Sequence, residues 1–213
     1  MSSKEYIEDG KAKVEFAGEQ KKIFLIGDSI REGYCEFVKD NLKDKYEVIY
    51  PFENCRNTQF VITSLYNWSN RIENPATVEA VTFNCGHWDV AHMYYDESTL
   101  TSESEYAQNI KKIVRLLKTF FPNAKLIFFT TTPGHEENMK SLSVNPRSNE
   151  EIERFNQLAT EVCEKENVLV EDLYKVVKEY GDECFKDYCH LKEEYSEKLG
   201  EHISNFLLSV LNK

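Results

Sequence analysis

Ser29 ends the run Phe24-Leu25-Ile26-Gly27-Asp28-Ser29, where an apolar stretch gives way to an amphipathic one. A serine hydroxyl is a weak nucleophile at neutral pH. It attacks a carbonyl carbon when a nearby base, usually a histidine, takes its proton and a carboxylate orients that base. The chain has five histidines, His87, His92, His135, His190 and His202. His190 ends Asp187-Tyr188-Cys189-His190, directly ahead of the closing amphipathic segment. In a turn, that spacing lets the carboxylate meet Nδ1 while Nε2 faces outward. Each half has a plain structural reading as well. Asp and Ser cap helices, and Asp-x-x-His also serves as a helix entry with a satisfied imidazole. The two halves together point to acyl chemistry.

Residues so far apart in the chain meet only if the fold brings them together. Lys22–Ile26 reads as a buried strand, and Ser29–Lys43 as a helix with Ile30, Tyr34, Phe37, Val38 and Leu42 on one face. Further strands are expected at Tyr46–Tyr50, Ala80–Phe83, Ala124–Thr131 and Val168–Val170. Helices are expected at Thr58–Trp68, Glu103–Phe121, Asn149–Lys165 (capped by Asn149), Leu173–Tyr180 and Glu193–Leu211. Thr132–Ser148, with two prolines and a glycine, reads as a long loop. Strand and helix alternate five times, which predicts a parallel sheet with helices on both faces. Ligands bind such sheets beyond the carboxyl ends of the strands. Ser29, Asn54–Thr58, Asn84–Asp89, Pro133–Arg147 and Asp187–His190 all fall at that edge. Residues 1–20 read as an irregular extension, and 21–213 as one domain.

Composition narrows the classes. The formal charge is −11, which opposes binding to nucleic acid or anionic membranes. No stretch has the length of a signal peptide core or a membrane span, so a cytoplasmic location is expected. The six cysteines form no Cys-x-x-Cys pair, and they read as free thiols rather than zinc ligands. Cys55, Cys85 and Cys189 lie within the clusters above, where oxidation sensitivity is a concern. A single glycine at the first turn, without a phosphate-cradling loop, argues against a nucleotide binder.

The chain resembles the GDSL-type, or SGNH, hydrolases. Gly27-Asp28-Ser29-Ile30 matches their first block, with Ile30 where Leu is usual, and Asp187 with His190 matches the last. Gly86-His87-Trp88-Asp89 is similar to the third block, and Cys55-Arg56-Asn57-Thr58 stands where the second belongs. The resemblance implies a flavodoxin-like three-layer α/β/α fold with strand order 2-1-3-4-5, and a serine esterase needing no metal or cofactor. It makes Ser29 the nucleophile, His190 the base and acid, and Asp187 the orienting group. Two positions depart from the pattern. Arg56 replaces a glycine whose N–H serves the oxyanion hole, and Trp88 replaces an asparagine whose amide does the same. Ser29, Arg56 and Asn84 are therefore the expected oxyanion donors, and Asp28, Asn54 and Trp88 the expected substrate contacts. Three of these have structural alternatives, core packing for Trp88, a surface ion pair for Arg56 and loop bracing for Asn84, while Asp89 reads as a cap or loop brace. The expected substrate is a small-molecule ester, with an acetylated carbohydrate favoured. An acyltransferase using the same three residues, or a binding domain that has lost its oxyanion hole, are the competing readings.

Overall fold

The computed structural model describes residues 12–13 and 20–212, and its centre is a twisted sheet of largely parallel strands. The strands are β1 (Ala12–Lys13), β2 (Lys22–Ile26), β3 (Glu47–Pro51), β4 (Val78–Phe83), β5 (Lys125–Phe129) and β6 (Leu169–Glu171). Their order is β1-β3-β2-β4-β5-β6. The last five strands in sequence run parallel in the expected order 2-1-3-4-5. An edge strand adds to the expectation: Ala12–Lys13 pairs antiparallel with Pro51 and Tyr50. The rest of the expected 1–20 extension lies outside the described residues, apart from Gln20.

The central strands are apolar on both faces because helices cover both. Ile23 and Leu25 face one core with α1 (Ser29–Leu42), α6 (Leu173–Lys178) and α7 (Glu193–Leu211). Phe24 and Ile26 face the other, with α2 (Thr58–Ser69), α3 (Glu103–Phe120) and α5 (Asn149–Lys165). Alternation at every residue of β2 thus feeds two cores, which is why it reads as a continuous apolar run. Burying residues such as Phe24, Phe83 and Phe128 stabilises the sandwich by roughly 1.5–3 kcal/mol each.

Two local features differ from expectation. The loop after β5 contains a short helix, α4 (Glu136–Lys140), with Met139 in the core. The cap of α5 is Ser148, in a capping box with Glu151, rather than Asn149. Asn149 instead braces the loop, accepting from Gly134 N–H at 3.0 Å and donating to its carbonyl at 2.9 Å. His202 is paired with Glu171 at 2.6 Å across α7 and β6.

Candidate active site

Ser29 is the first residue of α1, immediately beyond the carboxyl end of β2. Asp28 caps the helix, its Oδ1 accepting from Ile30 N–H at 3.0 Å. Gly27 is required by close approach, since a Cβ there would lie 2.6 Å from Arg31 Cβ. The hydroxyl is thereby held half-buried at the rim, with a first-turn N–H that has no intrahelical acceptor.

His190 arrives from the opposite end of the chain. Its Nε2 lies 2.7 Å from Ser29 Oγ across a separation of 161 residues. Its Nδ1 lies 2.8 Å from Asp187 Oδ2. Asp187 Oδ1 accepts from the N–H groups of Cys189 at 3.0 Å and His190 at 2.8 Å. Burial works to raise the Asp187 carboxyl, but those N–H groups and the imidazole outweigh it and hold it below its ordinary value. An ionised Asp187 selects the tautomer with the proton on Nδ1, which leaves Nε2 to accept from Ser29. The turn is itself clamped: Lys186 N–H donates to the His190 carbonyl, His135 N–H to the Tyr188 carbonyl, and Phe185 bridges Leu191. These contacts can support proton transfer from a nucleophile to a base that a carboxylate orients.

The second-block loop follows β3. Arg56 has φ of +49°, the left-handed region that glycine enters without strain. Its guanidinium is exposed and stacks 4.8 Å from the Phe60 ring centroid, in place of the surface ion pair considered for it. The Arg56 N–H already donates to Asn54 Oδ1 at 2.8 Å, so this expected oxyanion donor is engaged within its own loop. Asn54 Nδ2 makes no hydrogen bond among the described residues, and the loop is tied to the nucleophile turn by Cys55 N–H donating to the Gly27 carbonyl at 3.2 Å.

The other expected contacts divide. Trp88 is only partly buried and is not among the hydrophobic residues packed in or against either core. Asn84 is buried and gives an amide N–H to the Phe129 carbonyl at 3.1 Å, bracing β4 against β5 rather than facing outward. Asp28, expected to touch substrate, is fully buried and offers no surface for that; its work is the cap of α1. Asp89 braces as foreseen, accepting from Thr58 N–H and, at 2.7 Å, from the Thr58 hydroxyl.

Two buried cations beside the site escaped the motif reading. Arg31 is 2% exposed and Arg147 4% exposed. Arg147 donates from Nη1 to the His87 carbonyl and lies 5.4 Å from the Tyr188 ring, linking the third-block loop to the Asp187–His190 turn. The visible signal for Arg31 was its place on the apolar stripe of its helix, in register with Tyr34, Cys35 and Val38. All six thiols are free and buried. Burial pushes Cys55 and Cys189 up to about 12, which keeps them as unreactive thiols. Among the described residues, Asp187, Cys189 and His190 form a group whose ligand atoms lie within 4.8 Å of one another. There the Nδ1 edge is already occupied by Asp187.

Burial also pushes Asp28 and Asp89 up to about 6 from 3.8, against the hydrogen bonds they accept. Between those values the folded chain holds protons that the unfolded chain has released. Folding is therefore favoured at the acid end, and the advantage is lost as pH rises through about 6. Urea unfolding at pH 5 and pH 8 is expected to show a loss on the order of 1 kcal/mol per site over that interval. Asp89→Asn should flatten the slope, and parallel slopes for variant and wild type would contradict the assignment.

Comparison with known proteins agrees with this fold. The model of the GDSL-like lipase/acylhydrolase family matches residues 25–195, from β2 through the Asp187–His190 turn. A GDSL esterase/lipase of rice, WDL1 from Oryza sativa subsp. japonica, is 30% identical over 111 residues. That match spans 48% of this chain and 43% of the rice protein, less than half of the relative's length. Two solved structures share the fold. A lipase/acylhydrolase from Enterococcus faecalis superimposes with a TM-score of 0.70 at 22% identity, covering 90% of this chain and 97% of that one. Est24, a carbohydrate acetylesterase from Sinorhizobium meliloti, gives 0.66 at 14% identity, covering 90% of this chain and all (100%) of the other. A family match over most of the chain, beginning in the strand before Ser29 and ending past His190, establishes that this protein belongs to the GDSL-like lipase/acylhydrolase family.

Proposed function

We propose that the protein is a serine esterase that removes a small acyl group, acetyl in the first instance, from a carbohydrate or similar small alcohol. The observation that carries the proposal is the 2.7 Å contact between Ser29 Oγ and His190 Nε2, with Asp187 on the far nitrogen. Ser29 Oγ attacks the ester carbonyl carbon as His190 Nε2 takes its proton. The C–O bond to the alcohol then breaks, and the alcohol leaves with that proton. Water attacks the resulting acyl-enzyme, His190 taking one proton and returning it to Ser29 as the acid departs. The Ser29 N–H and the Asn54 amide stabilise the oxyanion. Asn54 takes the place of Asn84, whose amide is committed to Phe129, and Arg56 N–H holds Asn54 in position.

Support for a sugar alcohol comes from aromatic surface at the same sheet edge. Trp88 is partly exposed, Phe52 is 67% exposed and Tyr94 is 73% exposed, and such rings present flat apolar faces to a ligand. A carbohydrate acetylesterase also shares the fold. The proposed cytoplasmic placement rests on the six unpaired thiols.

Turnover of p-nitrophenyl esters of increasing chain length, followed by a panel of acetylated sugars, tests this reading. Acetyl is expected to exceed octanoyl by at least about tenfold in kcat/KM, as a pocket that excludes extra methylenes requires. Asp187 should contribute no acid limb in the ordinary carboxylate range, because it is held below that range. Preference for long chains would remove the acetyl assignment. Absence of turnover on every ester would favour the binding-domain reading, and product transfer to added sugars in preference to water would favour the acyltransferase.

A further inference from the structure

Arg31 is a buried charge to which the hydrolytic scheme gives no task. Taking a guanidinium out of water costs several kcal/mol, and an apolar side chain of like volume often fills such a space with no loss of stability. The ion pair of Arg31 is a loose one. The one carboxylate oxygen within reach, on Glu32, lies at 3.8 Å, beyond hydrogen-bond distance. The closer partners of Arg31 are two backbone carbonyls, and Nη1 also reaches Cys35 Sγ at 3.9 Å. Nη2 donates to Glu53 O at 2.8 Å, and Nε and Nη2 both reach Gly27 O at 3.4 Å.

Gly27 precedes the nucleophile by two residues, and Glu53 immediately precedes Asn54. Holding a carbonyl holds its whole peptide plane. One planar, rigid fork therefore spans the turn that carries Ser29 and the loop that carries Asn54 and Arg56. The Cys55 N–H on the same Gly27 carbonyl adds a second tie between them. The Glu53 side chain is held separately, by Trp68 Nε1 at 3.0 Å.

We infer that Arg31 is a positioning residue that sets the spacing between the nucleophile turn and the oxyanion loop. It touches neither substrate nor reacting atoms, and it acts on the stabilisation of developing charge rather than on substrate binding. The inference rests on the hydrolytic reading above. A lysine at this position supplies a point donor on a flexible stem and holds one carbonyl at a time.

The test is steady-state hydrolysis of p-nitrophenyl acetate by Arg31→Lys, Arg31→Met and Trp68→Phe, with folding checked by circular dichroism and thermal unfolding. Arg31→Met keeps much of the stem's volume and removes the charge. Both Arg31 variants are expected to fold, with kcat lowered about 10- to 100-fold and KM within about twofold of wild type, the pattern of an interaction felt only in the transition state. Trp68→Phe, which leaves both carbonyls held, should change kcat less than about threefold by the same reasoning. Unchanged kcat in a folded Arg31 variant would overturn the inference. So would an equal loss in Trp68→Phe, or failure of both Arg31 variants to fold, which would make the role purely structural. No turnover by the wild-type chain would sink the hydrolytic reading itself and this inference with it, a result distinct from the other three.

Discussion

Ser29→Ala is expected to lower kcat for ester hydrolysis by about 10⁴-fold or more, at little cost to stability. The size follows from the chemistry. Without the hydroxyl there is no covalent route, and what remains is water attacking an ester bound near an oxyanion hole. The small stability effect follows from the contacts. The cap of α1 is Asp28, and Asp28 is unchanged. Ser29 Oγ has His190 Nε2 as its partner, and the site is half-exposed, so neither group is stranded in a dry interior. The thermal midpoint should move by no more than about 3 °C, as expected for a change below about 1 kcal/mol in a domain of this size. Circular dichroism melts alongside p-nitrophenyl acetate turnover check both parts. Turnover in the variant at more than about one tenth of wild type would remove Ser29 from the mechanism.

Asp187→Asn should cost nearly as much, about 10³- to 10⁴-fold in kcat, for a different reason. Asp187 Oδ1 accepts the N–H groups of Cys189 and His190, and an asparagine oxygen at that place accepts them equally well. The amide NH2 must then occupy the position of Oδ2 and face His190 Nδ1. Two donors cannot share that contact, so the imidazole proton moves to Nε2, where it faces Ser29 Oγ. The base is held in place but in the wrong tautomer. The variant should therefore fold, keep KM near the wild-type value and lose kcat. A loss of kcat under tenfold would show that the carboxylate does not select the tautomer.

The sheet was legible because its signal is strong and local. Lys22–Ile26 is apolar on both faces, and the stripes of α3 and α7 keep a helical period over many turns. Ser29, Asp187 and His190 were legible as a set because each falls at a strand or helix boundary on one sheet edge. Shorter features carried too few residues to show a period: β1 has two residues and α4 five. The cap of α5 was present in the sequence as Ser148 followed by Glu151 at the capping-box spacing, but the adjacent Asn149 is an equally good cap residue by type. Direction was the harder loss. Asp28 and Asn84 stand beside the site in sequence, yet both side chains turn inward to N–H and carbonyl partners that only the fold supplies. The buried roles of Arg31 and Arg147 are hidden in the sequence because charged residues are ordinarily solvated. Their carbonyl partners, such as Glu53 and His87, come from other loops.

The central claim is that the hydroxyl of Ser29, activated by His190, forms a covalent bond to substrate. Intact-mass and peptide mass spectrometry after treatment with a fluorophosphonate test it most directly. One adduct per chain, mapped to Ser29, abolished in Ser29→Ala and strongly slowed in His190→Ala, is the expected result. An adduct on another residue, or native protein that remains unlabelled, would contradict it.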